Sequence, residues 1–165
     1  MVSAGNTGGN SCDRLPRKVE TASVVASSER TDARSSFSNY GSCVDIFAPG
    51  NHEFDFGKAV FFERMREATF PLYGANLRDK GAQVAGFKDR SMMAVGGVRI
   101  GLTGLAYENS ARMSSPEDLT FLSTVETTKA QAAALRQDGA DFVVAVLHCD
   151  RGDGIALQYA HVADM

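Results

Sequence analysis

Apolar and polar positions follow two different rhythms along this chain, and the change falls near residue 50. From Lys58 to Thr69, the apolar residues Val60, Phe61, Met65 and Ala68 fall on roughly one face of a 3.6-residue spiral, which predicts a helix. Leu72–Asn76 reads as a short strand. Ser91–Val95 and Arg99–Leu105 flank Gly96-Gly97, and paired glycines accept the positive φ of a two-residue turn, so a β-hairpin is predicted there. Ser115-Pro116-Glu117-Asp118 predicts a helix start, with Ser115 as N-cap, Pro116 at the first position and acids in the first turn. Leu122, Val125, Ala132 and Leu135 then recur at helical spacing up to a stop near Gly139. Asp141–Leu147 is almost wholly apolar, as a strand in a sheet covered on both faces would be. A short helix from Ile155 to about Ala163 is the last element expected.

Before residue 50 the chain is rich in Ser, Gly, Asn and Arg, with short apolar runs between turn residues. Val19–Ala26 and Val44–Ala48 read as strands, and Ser35–Ser38 as a short edge strand within a polar stretch from Glu29 to Asn39. No helix of useful length is expected, and Gly5, Gly8 and Gly9 mark a loop. Strands alternating with helices after residue 50 give an α/β layer fold. The fold expected is a hybrid, mostly parallel sheet with flanking helices and a β-hairpin.

At 165 residues, 44% of them hydrophobic and 22% charged, the composition is that of one globular domain or slightly more. A formal net charge of -3 argues against a general nucleic-acid binder, which would show a basic face. No apolar run approaches the ~20 residues that span a bilayer, and the N-terminus lacks the charged and apolar regions of a signal peptide. Three cysteines, Cys12, Cys43 and Cys149, include no Cys-x-x-Cys pair, which excludes a zinc ribbon of that form.

Two sets of motifs carry more specific information. Val2-Ser3-Ala4-Gly5-Asn6 and the run Ser36-Phe37-Ser38-Asn39-Tyr40-Gly41-Ser42-Cys43-Val44-Asp45-Ile46-Phe47-Ala48-Pro49-Gly50 resemble subtilases of the proteinase K and aqualysin branch over all of residues 1–50. The resemblance implies that Asn6 is the oxyanion-hole donor and that Cys12 and Cys43 form a disulfide. Such a bridge stabilises by ~3–4 kcal/mol in the chain-entropy picture. A Ser-His-Asp protease needs nucleophile, base and orienter within hydrogen-bond reach. The family's Asp and His segments and its Gly-Thr-Ser-Met-Ala nucleophile segment do not stand in these 165 residues, so Asn6 is a vestigial donor and this proteolytic route is excluded within one chain.

Residues 50–165 resemble a second class. Gly50-Asn51-His52-Glu53-Phe54-Asp55-Phe56-Gly57 is similar to the Gly-Asn-His-Glu signature of calcineurin-like metallophosphoesterases, in the form found in bacterial 5'-nucleotidases. Phe70-Pro71-Leu72-Tyr73-Gly74-Ala75-Asn76, Arg99-Ile100-Gly101-Leu102-Thr103-Gly104-Leu105 and Val146-Leu147-His148-Cys149-Asp150 follow at the intervals that family would have. The resemblance implies metal ligands at Asn51 and His148, and a catalytic pair in which Asp55 orients His52. The family's Asp-x-His and Gly-Asp-x-x-Asp motifs should precede Gly50, where the subtilase-like segment stands instead. Its Gly-His-x-His motif is also missing.

The expected protein is therefore a chimera joined at Gly50, with a β-rich segment over 1–50 and a partial phosphoesterase over 50–165, merged into one sheet if Val44–Ala48 supplies the strand that leads into the Gly-Asn-His loop. Function is expected to fall short of either parent: at most weak binding of a divalent ion (Zn, Mn, Co or Ni) and residual hydrolysis of a small phosphoester. A folded product without turnover fits the same residues. So does a new esterase or peptidase site assembled across the join or across a dimer. Asp150, Asp153, Asp164 and His161 are alternative ligands close to His148 in sequence, and Cys149 is either a thiolate ligand or a buried thiol. Asp150-Arg151-Gly152-Asp153-Gly154 lacks the later acid of a calcium loop. The resemblances imply secreted or periplasmic ancestry. Self-association through open sheet edges is expected; nucleic-acid or membrane partners are not.

Overall fold

The computed structural model describes residues 46–148 together with residues 2–3 and 24–25. In chain order the elements are β1 (Val2–Ser3), β2 (Val24–Val25), a 3₁₀ turn (His52–Phe54), α1 (Gly57–Arg66), β3 (Leu72–Tyr73), β4 (Leu77–Asp79), β5 (Ala82–Gln83), β6 (Phe87–Lys88), β7 (Arg90–Val95), β8 (Val98–Leu105), α2 (Ser110–Met113), β9 (Leu119–Phe121), α3 (Thr124–Gln137) and β10 (Phe142–Leu147). The expected strand at 35–38, the expected helix at 155–163, and Asn6, Cys12, Cys43, Cys149, Asp150, Asp153, His161 and Asp164 lie outside the described residues.

The main sheet grows from the predicted hairpin. Gly96 and Gly97 take φ of 59° and 85°, the pair of positive values that matches the twist of the flanking strands. β8 pairs antiparallel with β7 and parallel with β10, in the order β10-β8-β7. α3 crosses from β8 to β10 over one face, where Ala132, Leu135 and Val143 form a cluster with Met92 and Ala145 beside them. Gly101 makes room for this helix: a Cβ there would lie 3.0 Å from the Leu135 side chain.

On the other face Leu102 and Val146 meet Ile46 and Tyr73. A Cβ at Gly104 would come within 2.5 Å of the Tyr73 Cβ, so only glycine permits this approach. Ile46 sits at Leu102, Ala48 lies beside Gly104, and the Pro49 C=O accepts a hydrogen bond from the Tyr107 backbone N–H at 3.1 Å. The stretch Ile46–Pro49 therefore runs alongside β8 in the same direction. Phe47 turns to its opposite side, into an aromatic-rich cluster with Phe54, Phe61, Leu77 and Phe87.

The fold is mixed α/β, as expected, but not mostly parallel. Of the six strand pairings among the described residues, β1/β2, β3/β6 and β8/β10 are parallel, and β7/β8, β4/β5 and β4/β9 are antiparallel. Several boundaries also move. The helix expected from Ser115 begins at Thr124. Ser115–Asp118 is a turn closed by Leu119 N–H to Pro116 C=O at 3.1 Å, with Glu117 at a φ of 56°. Ser123 is the N-cap, accepting from the Glu126 N–H at 3.4 Å. Leu119–Phe121 is recruited into β9 instead. The stop near Gly139 holds: Gly139 has φ 90°, and its N–H and that of Ala140 bond back to Arg136 and Leu135 in a Schellman cap.

β10 is not buried throughout. It is an edge of its sheet among the described residues, and Phe142 is 53% exposed. The register puts Phe142 opposite Ile100 and Met93, and Val95 opposite Val98, on the face away from α3, so the exposed apolar side chains share one surface.

Asn76, fully buried, replaces a missing strand contact. Its Nδ2 donates to Ala106 C=O at 2.9 Å and its Oδ1 accepts from Ala106 N–H at 2.8 Å. Truncation strands both backbone groups, so Asn76→Ala is expected to destabilise by about 1–3 kcal/mol, read as a lower urea midpoint at unchanged slope.

A second tie joins α1 to β4 and the 116–119 turn. Lys58 Nζ donates to Asp118 at 2.6 Å and Asp79 at 2.5 Å. The hydrogen bond to Asp118, then that to Asp79, raises Lys58 above its usual 10.5, and the same bond from Lys58 holds Asp118 below its usual 3.8. The Asp118 contribution is thus present above pH 3.8 and fades as pH falls below it; that of Lys58 is present below pH 10.5 and fades above it. Asp118→Asn is expected to flatten the acid limb of a stability-versus-pH curve below about pH 4, measured by denaturation at stepped pH.

Candidate active site

The site is built on one tight turn that follows Ile46–Pro49. Gly50 donates its N–H to Glu53 Oε2 at 2.5 Å, closing residues 50–53 into a loop. His52–Phe54 continue as a 3₁₀ turn, in which Phe54 N–H bonds to Asn51 C=O at 3.2 Å and Asp55 N–H to His52 C=O at 3.2 Å. With three residues per turn, positions 52 and 55 stand on the same side. The His52 imidazole and the Asp55 carboxylate accordingly meet, Nδ1 to Oδ2, at 2.9 Å.

The turn is held from below by Phe54, which is fully buried. Its ring lies 4.6 Å from that of Phe61 and 5.4 Å, edge-on, from that of Phe121. Its C=O accepts from the Ser115 N–H at 3.1 Å. Phe54 therefore anchors the turn that carries His52 and Asp55. His52 is 58% exposed and Asp55 only 15%, so the carboxylate is sheltered while the imidazole is largely open to solvent. With Asp55 ionised, Nδ1 carries the proton and donates, which leaves the Nε2 lone pair free to accept one.

His148, directly after β10, arrives at the same loop. Its Nδ1 would lie 2.7 Å from a Cβ on Gly50, and its ring centroid is 5.6 Å from that of Tyr107. Asn51 is buried at 6% exposure, and its side chain does not cap the turn that it starts. The structure thus brings His148 to the loop that carries Asn51, His52 and Asp55, at the end of β10. Asn6 lies outside the described residues. Two roles are not evident from the motifs: that of Glu53, which stands in the Gly-Asn-His-Glu run and closes the loop, and that of Tyr107, which flanks His148. The spacing Gly50-x-x-Glu53 is a legible signal for the first, since a side-chain acceptor three residues on suits an orphan N–H. Tyr107 carries no local signal.

The groups here that the sequence reading assigns to a metal ion are one carboxamide, of Asn51, and one imidazole, of His148. Among the described residues no group of three or more His, Cys, Asp or Glu side chains stands close enough to surround an ion. That falls short of the three or four protein ligands that hold a divalent ion tightly, so the described residues do not fit a complete centre. Among the described residues, too, no helix is long and apolar enough to cross a membrane.

Comparison with known proteins finds both parents. The chain is 55% identical over 51 residues to the alkaline serine exoprotease A of Vibrio alginolyticus, covering 31% of this chain and 10% of the exoprotease. It is 31% identical over 129 residues to a 5'-nucleotidase of Vibrio cholerae, covering 75% of this chain and 23% of the nucleotidase. Among solved structures, it is similar to a 5'-nucleotidase precursor from Thermus thermophilus, with a TM-score of 0.62 and 26% identity over 69% of this chain and 23% of that one. No family model matches. The chain therefore spans about a quarter or less of the length of these relatives. It is a chimera: its first part is similar to subtilisin-like serine proteases and its longer remainder to 5'-nucleotidases. The nucleotidase match covers three quarters of the chain, more than the stretch from Gly50 onward holds, so the similarity runs back through the join.

Gly50 is the point where this geometry is most exposed to substitution. In Gly50→Ala the nearest neighbours of the new methyl are the His148 ring, at 2.7 and 2.8 Å, and a Glu53 oxygen at 3.0 Å, all of them side-chain atoms that can shift. The expected outcome is a stability change within about 0.5 kcal/mol, with the His148 imidazole displaced, seen as shifted His148 ring resonances while those of His52 stay in place.

Proposed function

We propose that this chain carries an incomplete phosphoesterase site, with at most weak affinity for a divalent ion and residual hydrolysis of a small phosphoester. The observation that carries the reading is the His52–Asp55 pair at 2.9 Å with a largely exposed imidazole, on the turn that also holds Asn51 and meets His148. Supporting it are the similarity to 5'-nucleotidases and the subtilase-like sequence that stands where acidic motifs would precede Gly50.

The residues present have defined tasks in such a site. Asp55 holds the proton on Nδ1 and stabilises the imidazolium. His52, once protonated at Nε2, donates that proton to the leaving-group oxygen of the ester, or in its neutral form takes one from water. Asn51 and His148 are the groups that would touch a divalent ion, which when bound polarises the phosphoryl oxygens. Neither side chain is a carboxylate, and hard ions favour oxygen anions, so Zn, Co, Ni or Mn suits the pair better than Mg. The similarity to an exoprotease points to ancestry outside the cytoplasm.

The deciding experiment measures metal content and para-nitrophenyl phosphate hydrolysis side by side, with added Mn, Co, Ni and Zn. Expected are substoichiometric metal and slow, metal-stimulated turnover that falls by about a hundredfold in His52→Ala and loses its metal response in His148→Ala. Two tightly held ions per chain would overturn the incomplete-site reading. Turnover indifferent to both histidines, or abolished by a serine-directed reagent, would favour a hydrolase site assembled elsewhere in the chain.

A further inference from the structure

A concavity of about 500 Å³ opens to solvent beside α1 and shares no lining residue with the candidate active site. The size falls within the roughly 300–1,000 Å³ of small-molecule sites. Its walls are mainly apolar: Phe62 and Met65 from α1, Phe70 and Pro71 from the following loop, and Leu72 from β3. Three charged side chains also line it, and they are not equivalent. Asp79 is already matched, since its Oδ1 lies 2.5 Å from the Lys58 ammonium. Arg66 and Lys88 are exposed, and among the described residues the side chain of neither is in a hydrogen bond or an ion pair.

We propose that this cavity binds an amphipathic anion: a single aliphatic or aryl body with one carboxylate or similar head. The apolar walls recognise the body, because every wall atom covered is removed from water. The two uncommitted cations recognise the head, and Arg66 offers the planar fork that suits a carboxylate. A cationic ligand of the same shape would meet two like charges and no free acid. A neutral one would gain only the apolar contact. Nothing in this assignment depends on the phosphoester reading of the 50–55 turn.

The test uses the full 165-residue chain and laurate below its micellar concentration, titrated by calorimetry. Saturable one-to-one binding is expected, with dodecanol binding at least about tenfold more weakly. The double variant Arg66→Glu, Lys88→Glu should weaken laurate by at least about tenfold. Ala85→Trp, which fills the cavity from an exposed position, should abolish it. Phe142→Ser, on the exposed apolar sheet face, should leave it unchanged. If either cavity variant loses its circular dichroism signature, Arg66→Gln, Lys88→Gln takes its place, with the Met65 methyl resonance as the reporter of occupancy. The proposal is overturned if laurate shows no saturable binding, or if dodecanol binds as tightly. It also fails if the charge variants are indifferent, or if binding survives Ala85→Trp or is lost with Phe142→Ser.

Discussion

The backbone from Ile46 to Pro49 is the seam on which the rest of this structure depends. It lies between two apolar clusters and alternates between them: Ile46 and Ala48 face the sheet of β8 and β10, while Phe47 enters the aromatic cluster around Phe54 and Phe61. Its hydrogen bonds run in both directions. Phe47 N–H donates to Pro71 C=O at 3.3 Å, Phe47 C=O accepts from Tyr73 N–H at 2.9 Å, and Pro49 C=O accepts from Tyr107 N–H. A stretch so short gains little by itself; what fixes it is burial on both sides. The turn that bears Asn51, His52 and Asp55 is simply its continuation, so the position of the candidate chemistry is set by the packing of four residues.

Those four residues lie at the end of the part of the chain that is similar to serine proteases, yet they serve the part that is similar to nucleotidases. The physical demand at this position is modest. A buried strand needs apolar side chains of suitable volume at alternate positions and a backbone free to bond on both edges, and many sequences meet it. Val44-Asp45-Ile46-Phe47-Ala48 meets it from Ile46 onward, which accounts for a nucleotidase match that does not stop at Gly50.

Legibility follows the range of the forces involved. The hairpin at Gly96-Gly97 and the cap at Gly139 are readable in the sequence because each is settled within a few residues, by positive φ and by an αL stop; the pair His52–Asp55 is legible only through the resemblance of its motif, and its contact forms within one three-residue turn. The start of α3 is misleading because Ser115-Pro116-Glu117-Asp118 carries all the local marks of a helix start. Ser123 with Glu126 carries nearly the same marks, and the choice is made by β4, which draws Leu119–Phe121 into pairing. β4 and β5 escape notice because Leu77-Arg78-Asp79 and Ala82-Gln83 are too short and too polar to signal strands. They form where Asn76, Arg78 and Asp89 supply side-chain bonds that no periodicity reveals. The exposure of Phe142 is equally invisible, since an apolar run states what a strand would prefer to bury and not whether a partner layer covers it.

Folding and catalysis make different demands on a junction, and the proposed reading rests on that difference. Packing tolerates replacement by anything of the right size and polarity pattern, so the seam and the clusters on either side persist across a splice. A phosphoester site depends on named groups at fixed positions, and an apolar strand of equal volume cannot replace the carboxylates that a preceding segment would bring. The pair His52–Asp55 survives because it is local to one turn, held by Phe54 and closed by Glu53. Asn51 survives for the same reason, and His148 because β10 delivers it to Gly50. Groups that the segment before Gly50 would have to bring have no such protection. On the proposed reading the groups retained are those carried by the 50–55 turn and by β10, both on the nucleotidase-like side of the join, as expected of a splice that keeps the packing of a fold while exchanging the segment before Gly50.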